Sequence, residues 1–183
     1  MPYEQVAEFM SSIQHYNSMS SKALQFLILT ATRTSEVLNA EWHEIDIAKS
    51  TWQIPATRMK ANREHRVPLS SQAVDLLLTL PRMKGNNHIF PGMKTGRPLS
   101  NMSLLQFMRG LGYGPNGEQG YFVPHGFRSS FRDWTGEVTS YPRDVAEMAL
   151  AHAIENKVEA AYRRRDLFEK RRAMMQEWAD YII

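Results

Sequence analysis

Tyr162 stands near the end of the chain in the run Ala160-Ala161-Tyr162-Arg163-Arg164-Arg165, with Arg33, Lys60, the box His125-Gly126-Phe127-Arg128 and His152 upstream of it. A phenol has a reference pKa of about 10 and is mostly protonated at neutral pH, so it needs neighbouring cations or a base to become a nucleophile. Arginine forks suit two oxygens of a phosphate at once. Imidazoles can donate or accept a proton, and a lysine can protonate a poor leaving group such as an alkoxide. The set contains what an attack on a phosphodiester by a phenol requires.

The order Arg, Lys, His-x-x-Arg, His, Tyr resembles the catalytic domain of the tyrosine recombinases. The resemblance runs from about Leu24 to Trp178, and its segments look most like integrases of prophages and genomic islands. They are Thr30 to Val37, Arg58-Met59-Lys60, Val67-Pro68-Leu69-Ser70, Pro124 to Arg128, Leu150-Ala151-His152 and Ala161-Tyr162-Arg163-Arg164. Any one of them is a weak signal, whereas all of them in order are specific.

The resemblance implies a role for each position. Arg33 and Arg128 would clamp the non-bridging oxygens, where charge concentrates in the five-coordinate transition state. His152 would add a second imidazole donor, His125 would serve as base for the Tyr162 phenol, and Lys60 would protonate the leaving 5' oxygen. Glu36 fits a position where a carboxylate orients the arginine three residues before it. The product would be a covalent 3'-phosphotyrosine, later resolved by a 5' hydroxyl of a second strand, with no metal or other cofactor. One departure from the pattern is Ala31, where many relatives have glycine.

Taken singly, each residue has a plainer reading. Tyr162 beside two alanines would pack as a core aromatic with its hydroxyl at the surface. Arg33 and Arg128 would be ion-pair partners, Glu36 a helix-surface charge and Lys60 a solvated turn lysine, with Lys49, Arg58 and Arg63 close enough to be mistaken for it. His65, Arg163 and Arg164 are candidate DNA contacts, as are Arg165 and the pair Arg171-Arg172, although charge runs are usually solvated faces. His15, His43 and His88 read as ordinary surface histidines.

Composition bounds the rest. The 183 residues suit one domain, and 43% hydrophobic with 22% charged residues is ordinary globular usage. With no cysteine the chain has no disulfide or thiolate metal site, and its histidines show no paired metal spacing. The most apolar run, Ala23 to Leu29, is far short of a membrane span, and no signal pattern opens the chain. A net charge of +3 suits a polyanion but does not identify one.

The elements expected to carry these residues are mostly helical. Val6, Phe9, Met10 and Ile13 recur at helical spacing over Glu4 to Ile13, and Ser21 is expected to open a second helix through Leu29. A short helix follows Arg33. Thr51 to Ile54 and His65 to Leu69 read as the strands of a hairpin with Lys60 near its turn. Ser70 or Ser71 should cap a helix reaching toward Pro81, Gly85 to Leu99 is a loop, and Ser100 should cap the next helix. Further helices are expected around Phe127 to Gly136, Arg143 to Leu150, Lys157 to Ala161 and Leu167 to Tyr181. In the last, the stripe Met174, Met175, Trp178, Tyr181 and Ile182 suits either the chain's own core or a neighbouring protomer.

The expectation is therefore an α+β, mostly α domain with a small antiparallel sheet, spanning 1–183 as a catalytic domain without the upstream core-binding and arm-binding domains that relatives carry. Its partner would be double-stranded DNA at attachment sites, bound by a tetramer of protomers, with the isolated domain monomeric and accessory DNA-bending proteins possible partners. It would act in the bacterial cytoplasm with the nucleoid and bind DNA weakly alone. A type IB topoisomerase-like strand transferase and a catalytically inactive DNA-binding remnant are the alternatives.

Overall fold

The computed structural model of the chain describes residues 1–152 and 166–183. Eight helices are labelled here: α1 (Val6–Gln14), α2 (Met19–Thr30), α3 (Thr34–Leu38), α4 (Ser71–Leu78), α5 (Ser103–Gly110), α6 (Phe127–Glu137), α7 (Arg143–Ala149) and α8 (Phe168–Ile182). Three short strands, β1 (Ile45–Asp46), β2 (Thr51–Ile54) and β3 (His65–Pro68), form an antiparallel sheet in the order β1-β2-β3. The expected α+β class with a small antiparallel sheet holds. The strand β1 was not anticipated, because two residues are too few to show an alternating pattern.

Helix α2 is the centre of the domain. From Ala23 to Thr30 every residue is buried, and α1, α4, α5 and α8 pack around it. A helix apolar on all sides has no solvent face and must be enclosed by its neighbours. Its start lies earlier than expected: Ser18 is the cap, accepting from the Ser21 amide at 3.2 Å. Ser21 is instead buried, with its hydroxyl donating to the Ile13 carbonyl at 2.6 Å. The sequence offers three serines from 18 to 21, Ser18, Ser20 and Ser21, and only packing decides which one lies outside the helix.

Similar local competition settles the other ends. Ser70 caps α4 by accepting from Ala73, and α4 stops at Leu78, short of Pro81. Ser100 does not cap α5, which starts at Ser103 behind Met102; its hydroxyl pairs with that of Ser103 at 2.9 Å. The expected helix from Lys157 to Ala161 lies outside the described residues.

Helix α8 closes the core from the chain's own C-terminus. Met174, Met175, Trp178 and Ile182 are buried, and Tyr181 lies half exposed against Trp134 and Tyr3. The Trp178 indole donates to the Ile28 carbonyl of α2 at 2.9 Å. This stripe thus packs within the chain. Trp178→Ala removes a fully buried indole together with its hydrogen bond to the Ile28 carbonyl, and should cost about 3–5 kcal/mol. Urea unfolding would show it as a lower midpoint; a loss under about 1 kcal/mol would mean that the helix is not part of the core.

Candidate active site

The site is assembled where two chain reversals meet. Helix α2 ends at Ala31 in the left-handed conformation, with φ 50° and ψ 25°. Two residues later Arg33 occupies the cap position of α3, where the Glu36 carboxylate accepts from the Arg33 amide at 2.8 Å. The same carboxylate takes a 2.8 Å bond from the Arg33 guanidinium, so one buried acid fixes both ends of the residue. Helix α7 likewise runs out into a left-handed alanine, Ala151, with φ 50°, and His152 follows.

Two arginines lace these reversals together. Arg128, in the first turn of α6 and 5% exposed, donates to the Ala31 carbonyl at 2.6 Å and to the Leu150 carbonyl at 2.6 Å. Arg33 donates in the other direction, to the Ala151 carbonyl at 3.3 Å. Both alanines pay the backbone strain of a φ that glycine adopts freely. That explains why glycine would suit position 31 and why alanine can hold it: the carbonyl, not the side chain, is what the arginine uses.

Electrostatics show how close the cations lie. Burial and the neighbouring Arg33 charge lower the Arg128 guanidinium to about 10, against the pull of Glu36, which leaves it cationic at neutral pH. His125 is exposed at the turn before α6. Burial and the charges of Arg128, Arg33 and His152 hold its imidazole below the ordinary range, so it is a neutral proton acceptor beside a cationic pair. The His152 Nε2 lies 3.2 Å from an Arg128 nitrogen. An open groove between the starts of α3 and α5 reaches His125.

Of the residues singled out in the sequence, Arg33, Glu36, His125, Arg128 and His152 are therefore brought to one place. Lys60 is not joined to them: it is exposed on the loop between β2 and β3. Tyr162, Arg163 and Arg164 lie outside the described residues, as does Arg165. Arg171 cannot offer its charge to a surface phosphate. It is 1% exposed, bonded to the Arg66 carbonyl at 2.7 Å and to Asp166. Arg172 bonds the Ser50 and Lys49 carbonyls and, like Arg171, lies over the Phe168 ring. His88 is half buried rather than fully at the surface.

His65 occupies a different setting from a DNA-facing strand residue. Its Nε2 is buried with no hydrogen-bond partner among the described residues. Burial, followed by the charge of Arg171, pushes the imidazole down to about 4; Arg33 and Arg128 add to this, and a bond to the Ala149 backbone opposes it.

Two supporting residues were missed in the sequence. Arg58 was set aside there as a possible mistake for Lys60; it donates to the Glu36 carbonyl at 3.1 Å and pairs with the buried Glu44. Glu147 faces His152, with one carboxylate oxygen against its ring. A carboxylate five residues before a histidine, with a helix ending between them, is the only local signal for it.

A family model described as the phage integrase family matches residues 1–167. Prophage integrase IntA of Escherichia coli K12 is 42% identical over 168 residues, which is 90% of this chain and 39% of that protein. The chain spans less than half the length of the curated relatives it matches. Among solved structures, the integrase from mycobacterium phage Brujita superposes with a TM-score of 0.69 at 14% identity, over all of this chain and 63% of that one. A lambda integrase dimer bound to a COC' core site gives 0.55 at 16% identity, over 91% and 59%. At these identities the two structures establish the fold.

The depressed imidazole of His65 has a thermodynamic consequence. The folded state resists its protonation while the unfolded chain takes the proton near pH 6.5, so stability is complete above that pH and falls as pH drops toward 4. The loss should be on the order of 3 kcal/mol at its end. His125 adds to it with the same sign. Unfolding midpoints measured across this range should slope less steeply in His65→Asn than in the wild type, and equal slopes would place the titration elsewhere.

Proposed function

The chain belongs to the phage integrase family, and we propose that it is the catalytic portion of a site-specific DNA recombinase working through a covalent 3'-phosphotyrosine. The observation that carries this reading is the convergence of Arg33, Arg128, His125 and His152 on one point, with two arginines of like charge held together and Arg128 bonded to carbonyls and an imidazole, not to a carboxylate, among the described residues. Such a place is stabilised by a ligand that carries negative charge between the forks, which a phosphodiester does.

In this reading Arg33 and Arg128 hold the two non-bridging oxygens and draw the developing charge toward themselves, and His152 donates to the same group from Nε2 when its ring carries both protons. The neutral His125 takes the proton of the Tyr162 phenol as its oxygen bonds to phosphorus. The bond from phosphorus to the 5' oxygen breaks, and that oxygen takes a proton from Lys60. The phosphotyrosine keeps the energy of the broken bond, and a 5' hydroxyl of a second strand attacks it, returning the phenol. No metal or other cofactor enters these steps.

Lys60, on the hairpin loop, reaches the leaving oxygen once DNA lies in the site. Arg163 and Arg164 contact the backbone beside the nucleophile. The DNA is an attachment site held by a tetramer of protomers in the bacterial cytoplasm, in a longer protein whose upstream domain encloses the duplex from the other side. Accessory bending proteins shape the DNA around that assembly.

A nicked suicide substrate tests the reading. In the longer protein that carries the upstream domain, the wild type should form a covalent adduct visible on a denaturing gel and map it to the Tyr162 peptide, and Tyr162→Phe should form none. No adduct in the wild type would defeat the enzymatic reading and leave a DNA-binding remnant. Lys60→Ala should cleave at least ~100-fold more slowly, the usual scale for a lost general acid. A substrate with sulfur in place of the 5' bridging oxygen should restore that rate, since a thiolate leaves without a proton. Without such rescue the acid is another group.

A further inference from the structure

The geometry points to Glu147 as a positioning residue for His152, a role that rests on the reading of the site given above. Glu147 lies in the last turn of α7 and shares its carboxylate between two elements. One oxygen takes a 2.8 Å hydrogen bond from Arg132 Nε on α6 and lies 3.6 Å from Arg143 Nε on its own helix. The other oxygen is 2.6 Å from His152 Nδ1. The backbone repeats the link, because the His152 amide donates to the Glu147 carbonyl at 3.0 Å.

A carboxylate oxygen can only accept, so the proton in the 2.6 Å contact belongs to His152 Nδ1. In the neutral ring this leaves Nε2 bare, and Nε2 lies 3.2 Å from the Arg128 nitrogen that also bonds Leu150. The opposite tautomer would set two lone pairs against each other on the Glu147 side and two N–H groups against each other on the Arg128 side. Glu147 therefore selects both the tautomer and the face that the ring turns toward the arginines, as a carboxylate does behind a ligating histidine.

His152 needs this help. It is 44% exposed, stands beyond the end of its helix and follows the left-handed Ala151, so little packing restrains its ring. Burial alone would raise the Glu147 carboxyl, but the bonds from His152 and Arg132 more than offset this and hold it low. The acid is thus charged when the arginines are. Arg132 and Arg143 keep it from turning toward the stronger field of Arg128 and Arg33. Glu147 acts through His152 and touches no reacting atom.

Nitrogen NMR at a pH where the His152 ring is neutral should report the Nδ1-protonated tautomer, and Glu147→Gln, nearly identical in shape, should lose that preference. In the longer protein Glu147→Gln should lower the single-turnover cleavage rate about 10- to 100-fold, the range for lost outer partners of working histidines. DNA affinity and melting temperature should stay near the wild type. Added to His152→Ala, it should change the rate less than about twofold, because the residue it orients is gone. A wild-type His152 protonated on Nε2, or an equal effect of Glu147→Gln with and without the imidazole, overturns the proposal. If the wild type cleaves no DNA, the function above fails instead, and the tautomer alone decides whether Glu147 positions the ring.

Discussion

Holding two guanidinium groups together in a partly buried place is the demand around which this domain is organised. Like charges repel, and burial strips water from both, as the lowering of Arg128 records. The chain answers with carbonyls and carboxylates. Arg128 is held by the Ala31 and Leu150 carbonyls, and Arg33 by Glu36 and the Ala151 carbonyl. Hydrogen bonds to charged groups contribute more than neutral ones, roughly 1.5–3 kcal/mol each, and offset much of the desolvation. Both arginines are thereby preorganised, and in the proposed reaction a phosphate would meet donors already in place.

That clamp depends on where two helices stop. If α2 or α7 continued for one more residue in helical geometry, the carbonyl of Ala31 or Ala151 would turn back into its own helix and be lost to the arginines. The left-handed alanines are local strain retained because the surrounding structure over-determines them. On α2 the surrounding structure is the core itself, since the helix is enclosed by four others and its Ile28 carbonyl is held by Trp178 from the far end of the chain. A packing contact at residue 178 is in this way connected to the position of the cation at residue 33.

A second layer stands behind the first and gives each polar group a direction. Arg58 holds the Glu36 carbonyl and is itself paired with Glu44, which also accepts from the Trp52 indole at 2.9 Å. On the other side, Arg132 and Arg143 hold Glu147, which holds His152. Outward from Arg33 the charge alternates through Glu36 to Arg58, and on the other side the imidazole of His152 stands between Arg128 and Glu147. An alternating arrangement lets the central cations be close without accumulating a field that would unfold the site. Arg66, Arg171 and Arg172 gather on Phe168 and Asp166 and tie α8 to β3.

Much of the plan could be read along the chain. The apolar spacing of α1, the unbroken apolar run of α2, the hairpin strands and the last helix all declare themselves locally, because side-chain periodicity is set by backbone geometry alone. The gathering of Arg33, Glu36, His125, Arg128 and His152 was also anticipated, because the order of their sequence boxes resembles that of a known family, whereas Tyr162, named on the same ground, lies outside the described residues. Which serine caps α2, whether Arg171 faces solvent, what His65 sits beside and which acid orients His152 were not legible. Each is a competition between alternatives of nearly equal local energy, settled by burial and by charges tens of residues away. The C-terminal stripe illustrates the boundary: its amphipathic spacing determined that it must bury a face, and only the tertiary structure decided which surface receives it, because apolar burial is favourable wherever water is excluded and carries no address of its own.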